Sequence, residues 1–405
     1  MRGAFGRLAT ATQKDRERMK TTLSSRERIL LAIDHREADH VPLALHPFGW
    51  HPPRGLEYGD EFERVAKFLA FGIDDTVGLH PPSRHHPDVT TRTRRTAPPD
   101  ERYPLLHKEY GTPKGAMSQV ARQTDDWPHG DDVPVTSDHN IPRSTKFLVE
   151  DEADLEKLPY LFFPPDRGQL EDFREQGDAT RPFAEEHGVM IEGHCGGFGD
   201  YAAWFMGLEN LMLAMYDRPA FVHRLLDTIL EWEMRDLDVL LDRGVADMVV
   251  HRGWYECSDF WSPRFYREFI APRLARKIQA AHEAGVRFGY IMSTGIMPLL
   301  DVFRELDFDV LIHVDPVQGG VDLAALRDAI GDRICVWGGI NGPVTLTQGS
   351  RDDIRDAVTH AISTLGPDGG LILEPADCLT EDIPAENILT LIERWREIAT
   401  YPIQV

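Results

Sequence analysis

The sequence predicts an α/β protein, a (β/α)8 TIM barrel with an insertion between its second and third strands. Short apolar runs bounded by glycine, proline or charged residues recur along the chain, and from the third run onward amphipathic helical segments follow them. Alternating strands and helices are typical of a parallel sheet, and eight such units close a barrel. The runs are rich in Val, Ile and Leu, as in strands that are buried on both faces. The predicted strands are 41–45, 75–79, 189–193, 247–251, 287–292, 310–315, 334–339 and 370–375.

The helices are predicted from the spacing of apolar residues. Segments 208–244 and 351–366 show this spacing over several turns. The first helix is expected to begin at Ser24, because a serine followed three residues later by Glu27 is a capping-box signature.

A long segment at about 80–186 separates the second and third predicted strands. It starts with a polar, proline-rich stretch and continues with a predicted hairpin at 105–124. A structureless loop of this length is improbable in a compact domain, so we expect an insertion with strands of its own that overhangs the barrel mouth. The remaining chain is predicted to be a disordered leader at 1–22 and a single barrel domain at 23–405.

Composition narrows the class of protein. The chain has 405 residues and a formal net charge of -23, which argues against nucleic-acid or anionic-membrane binding, since both need basic patches. It has no apolar run long enough to span a membrane and no secretion signal, which predicts a cytoplasmic protein. Its cysteines are sparse and are expected to be free thiols; they are Cys195, Cys257, Cys335 and Cys378.

Side chains that follow the predicted strands are rich in histidine, cysteine and carboxylate. These residue types bind metals and transfer protons, and the carboxyl ends of barrel strands carry the active site. The candidates are His46, Trp50, His80, His194, Cys195, His251, Arg252, Trp254, Glu256, Cys257, Tyr290, Met292, His313, Asp315, Asn341, Glu374, Asp377 and Cys378.

Several candidates also have a purely structural explanation. His80 lies in a proline-rich loop, where we expect it to be solvated, and Asp315 is equally suited to capping the next turn. The glycines around His194 would let the backbone approach a ligand. The chain has no Walker loop, no GxSxG motif and no GxGxxG spacing, so nucleotide-binding and serine-hydrolase motifs are absent from the sequence.

Five segments, taken together, resemble the uroporphyrinogen decarboxylase superfamily. They are RERILLAIDHREADHVPL, GLENLMLAMYDRPAFVHRLLD, SPRFYREFIAPRLARKI, the stretch 286–315, and DIPAENILTLIERW. The resemblance implies a barrel with its site at the carboxyl ends of the strands. The hairpin EYGTPKG at 109–115 is similar to the cobalamin-dependent methyltransferase branch, whereas HPFGWHPPRG lacks the arginine-rich signature of the true decarboxylases.

The resemblance also implies a zinc site, and this chain departs from it. The methyltransferases bind zinc through a His-x-Cys pair after the fifth strand and a cysteine after the eighth. Here those positions hold Tyr290, Met292 and Asp377, with Cys378 one residue later. A phenol and a thioether are poor zinc ligands, so the usual zinc site is not expected.

Three mechanisms remain open at this point. A zinc or other divalent metal ion could be bound elsewhere on the rim, by residues among His194, His251, His313, Glu374, Asp377 and Cys378. A metal-free demethylase could instead use Tyr290, His251 or Glu256 to protonate the leaving atom. A lyase or decarboxylase could hold a substrate carboxylate with histidine and Arg252. A non-catalytic binding protein on the same scaffold is a fourth hypothesis.

We expect methyl transfer from a small substrate to a corrinoid carried by a partner protein. The aromatic residues of the predicted rim favour a substrate with an aromatic ring. The sequence leaves open whether two chains form a homodimer. The predicted catalytic residues are His251, Glu256, Tyr290, Asp315 and Asp377, and the predicted substrate-binding residues are His46, Trp50, His194, Arg252, Trp254, Met292 and Asn341.

Overall fold

The computed structural model describes residues 21–49 and 51–404. The predicted leader at 1–22 therefore lies outside the described residues except for its last two positions, and Trp50 lies outside them as well. The strands are β1 (Thr76–Leu79), β2 (Thr90–Thr96), β3 (Leu105–Thr112), β4 (Gly115–Arg122), β5 (Ser144–Lys146), β6 (Met190–His194), β7 (Met248–Arg252), β8 (Arg287–Ile291), β9 (Val310–Val314), β10 (Cys335–Asn341) and β11 (Leu371–Ala376).

A curled parallel sheet of seven strands forms the centre of the fold. Its strand order is β1-β6-β7-β8-β9-β10-β11, and each neighbouring pair is parallel. These strands correspond to the second to eighth predicted strands. All their carboxyl ends therefore lie at one edge of the sheet, where the predicted site residues follow.

The first predicted strand bridges the two edges of this sheet. Leu43 forms a parallel bridge with Leu373 of β11, and Ala44 forms one with Asp74 just before β1. Backbone hydrogen bonds from Ala44 N to Leu373 O and from Asp74 N to Leu43 O accompany these bridges. The segment 41–45 thus connects the last strand to the first, although only through single bridges.

The two faces of the sheet belong to different apolar clusters, because successive side chains of a strand point to opposite faces. On β7, Met248 and Val250 belong to a small cluster inside the curl, to which helix residues such as Ile29 also belong. Val249, between them, belongs to the large cluster that packs the sheet against the surrounding helices. This alternation decides which side chains near the strand ends face the interior of the curl.

The helices surround the sheet, and the first one has the predicted cap, since Ser24 and Glu27 form a capping box. The helices are α1 (Ser25–Ile33), α2 (Glu61–Ala70), α3 (Glu152–Leu155), α4 (Arg167–His187), α5 (Phe198–Met206), α6 (Leu208–Asp217), α7 (Pro219–Leu241), α8 (Pro263–Phe265), α9 (Ala271–Glu283), α10 (Leu300–Leu306), α11 (Leu323–Ile330), α12 (Arg351–Leu365) and α13 (Ala385–Ile398). Among the described residues, no helix combines the length and the apolar character needed to cross a membrane.

A second, antiparallel sheet occupies the chain between β1 and β6. Its order is β2-β3-β4-β5, and β3 and β4 form the predicted hairpin, in which Thr112 is paired with Gly115 across the turn. Tyr110 and Met117 of this hairpin belong to the large cluster that packs the parallel sheet. The antiparallel sheet therefore shares a core with the rest of the described chain.

Candidate active site

Five ionisable side chains lie at the carboxyl ends of the parallel strands, on or near the inside of the curl. On β6 and β7 the alternation that turns Met190 and Met248 inward also turns Glu192, His194 and Arg252 inward. Glu374 is two residues beyond the inward Ile372 on β11. The five residues are Glu192, His194, Arg252, His313 and Glu374. We call Glu192, Glu374, His313 and the neighbouring His46 the inner cluster.

Glu374 links two histidines of the inner cluster. One of its carboxylate oxygens, Oε1, is paired with Nδ1 of His46, and Oε2 lies 3.4 Å from Nδ1 of His313. Burial alone would lower the pKa of His46, but the charge of Glu374 and its hydrogen bond outweigh burial and raise that pKa to about 9. Burial lowers the pKa of His313, despite the nearby carboxylate. At neutral pH, His46 is therefore an imidazolium and His313 is a neutral imidazole.

Glu192 provides the second carboxyl group of the inner cluster. Its exposed fraction is 6%, and burial raises its pKa to about 7, against the lowering effect of the His46 charge. The charge of Glu374 adds to this raised pKa, because it disfavours a second negative charge on the same inner face of the sheet. A carboxyl group that titrates near neutral pH can both hold and release a proton.

His194 is held neutral at the edge of the inner cluster. Its ring stacks on the ring of His80, with a centroid distance of 4.4 Å and an angle of 9°. Burial, together with the nearby His80 and His46, lowers the pKa of His194 to about 3. His80, which the sequence suggests is merely solvated, thus contacts a predicted substrate-binding residue.

An aromatic side chain covers the inner cluster on another side. Trp254 stacks on His313, with ring centroids 5.2 Å apart and an interplanar angle of 24°. Trp254 also packs against the apolar cluster inside the curl. The predicted substrate-binding residues His46 and Trp254 are therefore close to His313, and His46 is also paired with Glu374.

The backbone at His313 departs from regular strand geometry. Its φ is 65°, a left-handed conformation that non-glycine residues seldom adopt. The register between β9 and β10 shifts at the same level, where Trp337 pairs with Ile312 but Gly338 pairs with Val314. The irregularity leaves His313 beside Trp254 and Glu374, whereas Val314 joins the cluster outside the sheet.

Three predicted catalytic residues lie on the opposite side of the sheet. His251 and Tyr290 are register partners on β7 and β8, and both face the helices. Glu256 accepts hydrogen bonds from Tyr290 Oη at 2.7 Å and contacts His251 Nε2 at 3.0 Å. All three side chains are fully buried, and burial raises the pKa of Glu256 to about 7 and lowers that of His251 well below its usual range.

This buried network continues into α7 and α9. Lys277 Nζ contacts His251 Nδ1 at 2.9 Å and donates to Glu233 Oε2 at 2.7 Å. Its members also bind the loop after β6: Lys277 donates to Cys195 O, Gly197 N donates to Glu233, and Gly199 N donates to Glu256. The network therefore fixes the backbone that follows His194.

Two further candidates position loops at the rim. Asp315 accepts from the backbone of Val317 and from Asn341 Nδ2, at 2.7 Å and 2.8 Å. Asn341 Oδ1 in turn accepts from the backbone of Val344 at 2.7 Å. Their polar groups are thus engaged in capping turns, which is the structural explanation that the sequence offered for Asp315.

The remaining candidates do not join the inner cluster. Met292 is fully buried in the large apolar cluster. Asp377 is exposed and accepts from its neighbour's backbone N–H, and burial raises the pKa of the half-buried Cys378 thiol. The residues at the family's zinc positions therefore point in different directions.

Across 21–49 and 51–404, no three His, Cys, Asp or Glu side chains come together in a way that could hold a metal ion. The residues at the family's zinc positions therefore do not fit the zinc site implied by the resemblance.

Arg252 connects the rim, at the carboxyl ends of the parallel strands, to the segment between β1 and β6 that contains the antiparallel sheet. Its Nε donates to Asp200 Oδ2 at 3.0 Å, and its Nη2 donates to Asp138 Oδ2 at 3.2 Å. Trp204 Nε1 donates to the other oxygen of Asp138 at 2.9 Å. Burial raises the pKa of Asp200 to about 7, although Arg252 opposes this effect. A loop of the predicted insertion thus contacts the rim beside the inner cluster.

Glu192 is the member of the inner cluster that the sequence interpretation missed. It is the next-to-last residue of the predicted strand 189–193, as Glu374 is of 370–375, but it was not among the predicted candidates. A signal existed: Glu192 is two residues before His194, so both must lie on the same face of the strand.

The curled parallel sheet with polar side chains at its carboxyl ends defines a TIM-barrel-like α/β protein. The family profile described as "Uroporphyrinogen decarboxylase (URO-D)" matches residues 130–398, and the chain belongs to this family.

Two known proteins illustrate the similarity. A uroporphyrinogen decarboxylase from Alkalilimnicola ehrlichii is 23% identical over 214 residues, which are 52% of this chain and 53% of that protein. The chain thus matches about half the length of this curated relative. A methyltransferase from Methanosarcina mazei has a similar structure, with a TM-score of 0.56 and 18% identity over 93% of this chain and 99% of that one. The second similarity concerns the fold.

Proposed function

We propose that this protein is an enzyme that moves a methyl group from a small substrate, with an aromatic ring favoured by Trp254, to a corrinoid carried by a partner protein. Family membership and the fold shared with a methyltransferase support this class of reaction. The observation that carries the proposal is the buried Glu192 on the same inner face as the paired His46 and Glu374, where burial raises the pKa of Glu192 and the Glu374 carboxylate raises that of His46. The bound corrinoid would supply the nucleophile that accepts the methyl group.

The chain's own residues would manage the proton of the leaving atom. When a methyl ether R–O–CH3 loses its methyl group to the acceptor, the oxygen keeps the bonding electrons and needs a proton to leave as R–OH. Glu192, with a pKa of about 7, supplies that proton and regains one from water. His46, held by Glu374, stays protonated at neutral pH and stabilises negative charge on the same oxygen.

The other predicted residues receive roles that follow from their positions. His194, Trp254 and Arg252 contact the substrate, whereas His251, Glu256 and Tyr290 position the loop after β6 through the buried network. Asp315 and Asn341 hold the rim turns. We also propose that segment 41–45 closes the parallel sheet into a complete barrel, in which the antiparallel sheet is an insertion.

Methyl transfer to cob(I)alamin, followed by its visible absorbance with a methoxylated aromatic compound as donor, tests the proposal. Glu192→Gln should lower kcat by roughly 10²-fold or more, since it removes a general acid. Glu381→Gln, which changes a rim carboxylate whose side chain is 70% exposed, should leave the rate unchanged. Equal rates for both variants would contradict the role of Glu192, and a wild type that transfers no methyl group to any such acceptor would contradict the function.

A decarboxylase or other lyase is the second candidate, and the cations at the rim favour it. The imidazolium of His46 and the guanidinium of Arg252, whose side chain is 35% exposed, would hold a substrate carboxylate. Release of carbon dioxide from coproporphyrinogen precursors, with no methyl transfer, would favour this function over the first.

A further inference from the structure

Two buried carboxyl groups in the inner cluster have an oxygen that forms no hydrogen bond. Within the described part of the chain these oxygens are Glu192 Oε1 and Glu374 Oε2, and Glu374 Oε2 has only a 3.4 Å contact with His313 Nδ1, which also forms no hydrogen bond. Glu192 is 6% exposed and Glu374 is fully buried. Native proteins seldom leave a buried carboxylate oxygen without a hydrogen bond, which makes such atoms strong candidates for ligand contacts.

The charges around these atoms favour a positively charged ligand. Glu374 is balanced by His46, and Arg252 and Arg64 are already paired with their own carboxylates. His194 and His313 are neutral because burial lowers the pKa of each. Glu192 forms no ion pair of its own in the described part of the chain, although the charge of His46 acts on it, so the inner cluster carries one more negative than positive charge when Glu192 is ionised.

The ring of Trp254 adds an apolar and electron-rich surface beside the carboxylates. It stacks on His313, whose Nδ1 lies 3.4 Å from Glu374 Oε2. Carboxylates beside an aromatic ring form the kind of site that binds organic ammonium groups, through charge–charge and cation–π attraction. A divalent metal ion is a poorer fit, since no three ligating side chains converge in the described chain.

We propose that the inner cluster binds the ammonium group of an organic amine through Glu192 and Glu374, with Trp254 against its carbon substituents. This assignment deepens the proposed function by naming the class of ligand. It rests on the proposed function in one respect, that the bound amine is the methyl donor. An N-methylammonium donor carries its own proton on nitrogen, so loss of the methyl group leaves a neutral amine. In its ionised form Glu192 then holds the N–H groups together with Glu374, whereas the proton that its neutral form supplies to an ether oxygen is not needed for an amine donor.

Calorimetry with N-methylbenzylammonium and its neutral analogue benzyl methyl ether, in the absence of any corrinoid, tests the proposal. The ammonium should bind at least tenfold more tightly than the ether at pH 7.5. Glu192→Gln and Glu374→Gln should each weaken ammonium binding by tenfold or more and leave ether binding unchanged. Glu381→Gln, on the exposed rim, should behave like the wild type.

Three results would overturn the assignment. The first is equal affinity for the ammonium and the ether. The second is ammonium binding that survives both substitutions. The third is failure of the ammonium to bind while zinc or manganese chloride binds to the wild type and to neither variant. Far-ultraviolet circular dichroism identifies a variant that fails to fold. If one of the two variants fails to fold, ammonium binding by the other variant decides whether the assignment holds. The calorimetry contains no methyl acceptor, so it tests binding separately from the reaction. If the ammonium binds but no methyl transfer is found later, only the proposed reaction is contradicted. If methyl transfer occurs from ethers alone, only the assignment of an amine as the ligand is contradicted.

Discussion

At the residue scale, Glu192 is the clearest case of a group whose protonation depends on the fold. Burial raises its pKa from 4.5 to about 7. A group with a raised pKa contributes stability that is complete below the unfolded value and is lost as the pH rises through the folded value. Between pH 4.5 and 8, Glu192 therefore lowers the free energy of unfolding progressively, by on the order of 2–3 kcal/mol.

Glu192→Gln should remove this dependence. Urea unfolding at pH 5 and pH 8 should show a smaller loss of stability for Glu192→Gln than for the wild type, because the amide does not ionise. Glu381→Gln, whose side chain is mostly exposed, is the matched control and should follow the wild type. Identical pH profiles for Glu192→Gln and the wild type would show that Glu192 does not titrate in this range.

Lys277 is the second residue with a measurable role. It is fully buried, and its ammonium group satisfies Glu233, the carbonyl of Cys195 and His251 together. Lys277→Met keeps most of the volume but leaves Glu233 charged and buried, which should cost about 3–5 kcal/mol. Arg351→Met breaks the exposed pair with Glu393 and should cost less than about 1 kcal/mol. Chemical unfolding compares the two variants, and similar losses would contradict a cooperative buried network.

The sequence predicted how far along the strands the candidate residues lie better than it predicted which face of the sheet they occupy. His194, His251 and His313 all lie at carboxyl ends, as expected, but His251 faces the helices. Both faces of a barrel strand are apolar, so the pattern of residues cannot decide which face is the interior. His313 could not be assigned at all from alternation, because its left-handed φ interrupts the alternation.

At the element scale, the loop between β6 and α5 depends on close backbone approach. A Cβ at Gly197 would lie 2.4 Å from the carbonyl oxygen of Arg252, and Gly197 N also donates to Glu233. Gly197→Ala should therefore displace this loop and destabilise the fold by roughly 2 kcal/mol or more, since backbone cannot move as cheaply as a side chain.

Gly177 is the contrasting glycine. It lies within α4, where an added Cβ would meet the side chain of Val245 at an ordinary 3.8 Å. Gly177→Ala should stabilise the protein by up to about 1 kcal/mol through helix propensity. Thermal unfolding should thus shift in opposite directions for the two variants, and a shift in the same direction would contradict the steric argument.

Local signals explain which elements could be predicted. The capping box at Ser24 and the hairpin around Thr112 and Gly115 depend on neighbouring residues, and both are confirmed. Seven of the eight predicted strands are confirmed in one parallel sheet. They could be predicted because their apolar runs end at glycine or charge. The first predicted strand forms only single bridges at Leu43 and Ala44, a long-range outcome that its composition does not determine.

At the scale of the whole molecule, the two sheets behave as parts of one packed structure. Tyr110 and Met117 of the antiparallel sheet belong to the same cluster as Phe198 and Tyr290 beside the parallel sheet. A small separate cluster around Trp127 belongs to the antiparallel sheet alone. The shared core makes independent unfolding of the antiparallel sheet costly. Its loop at 134–144 is held by the polar contacts of Asp138 and by Val135 and Ile141, which pack against the large cluster as partly buried side chains.

Asp138 is the polar contact through which such a loop meets the rim. It accepts hydrogen bonds from Trp204 and Arg252, at 2.9 Å and 3.2 Å. Because half of its side chain is exposed, Asp138→Ala should cost less than about 1 kcal/mol of global stability. Hydrogen exchange should nevertheless become faster at 134–144, since the loop would open without unfolding the shared core.

Asp126→Ala provides the matched control, because Asp126 pairs with Arg143 in the same region but does not contact the rim. It should leave Arg252 held by Asp138 and should not change ammonium binding. Asp138→Ala, in contrast, should release Arg252 on one side and leave its positive charge less compensated beside His194, which would weaken ammonium binding severalfold. Unchanged exchange at 134–144 together with unchanged binding would mean that the antiparallel sheet's segment has no influence on the inner cluster.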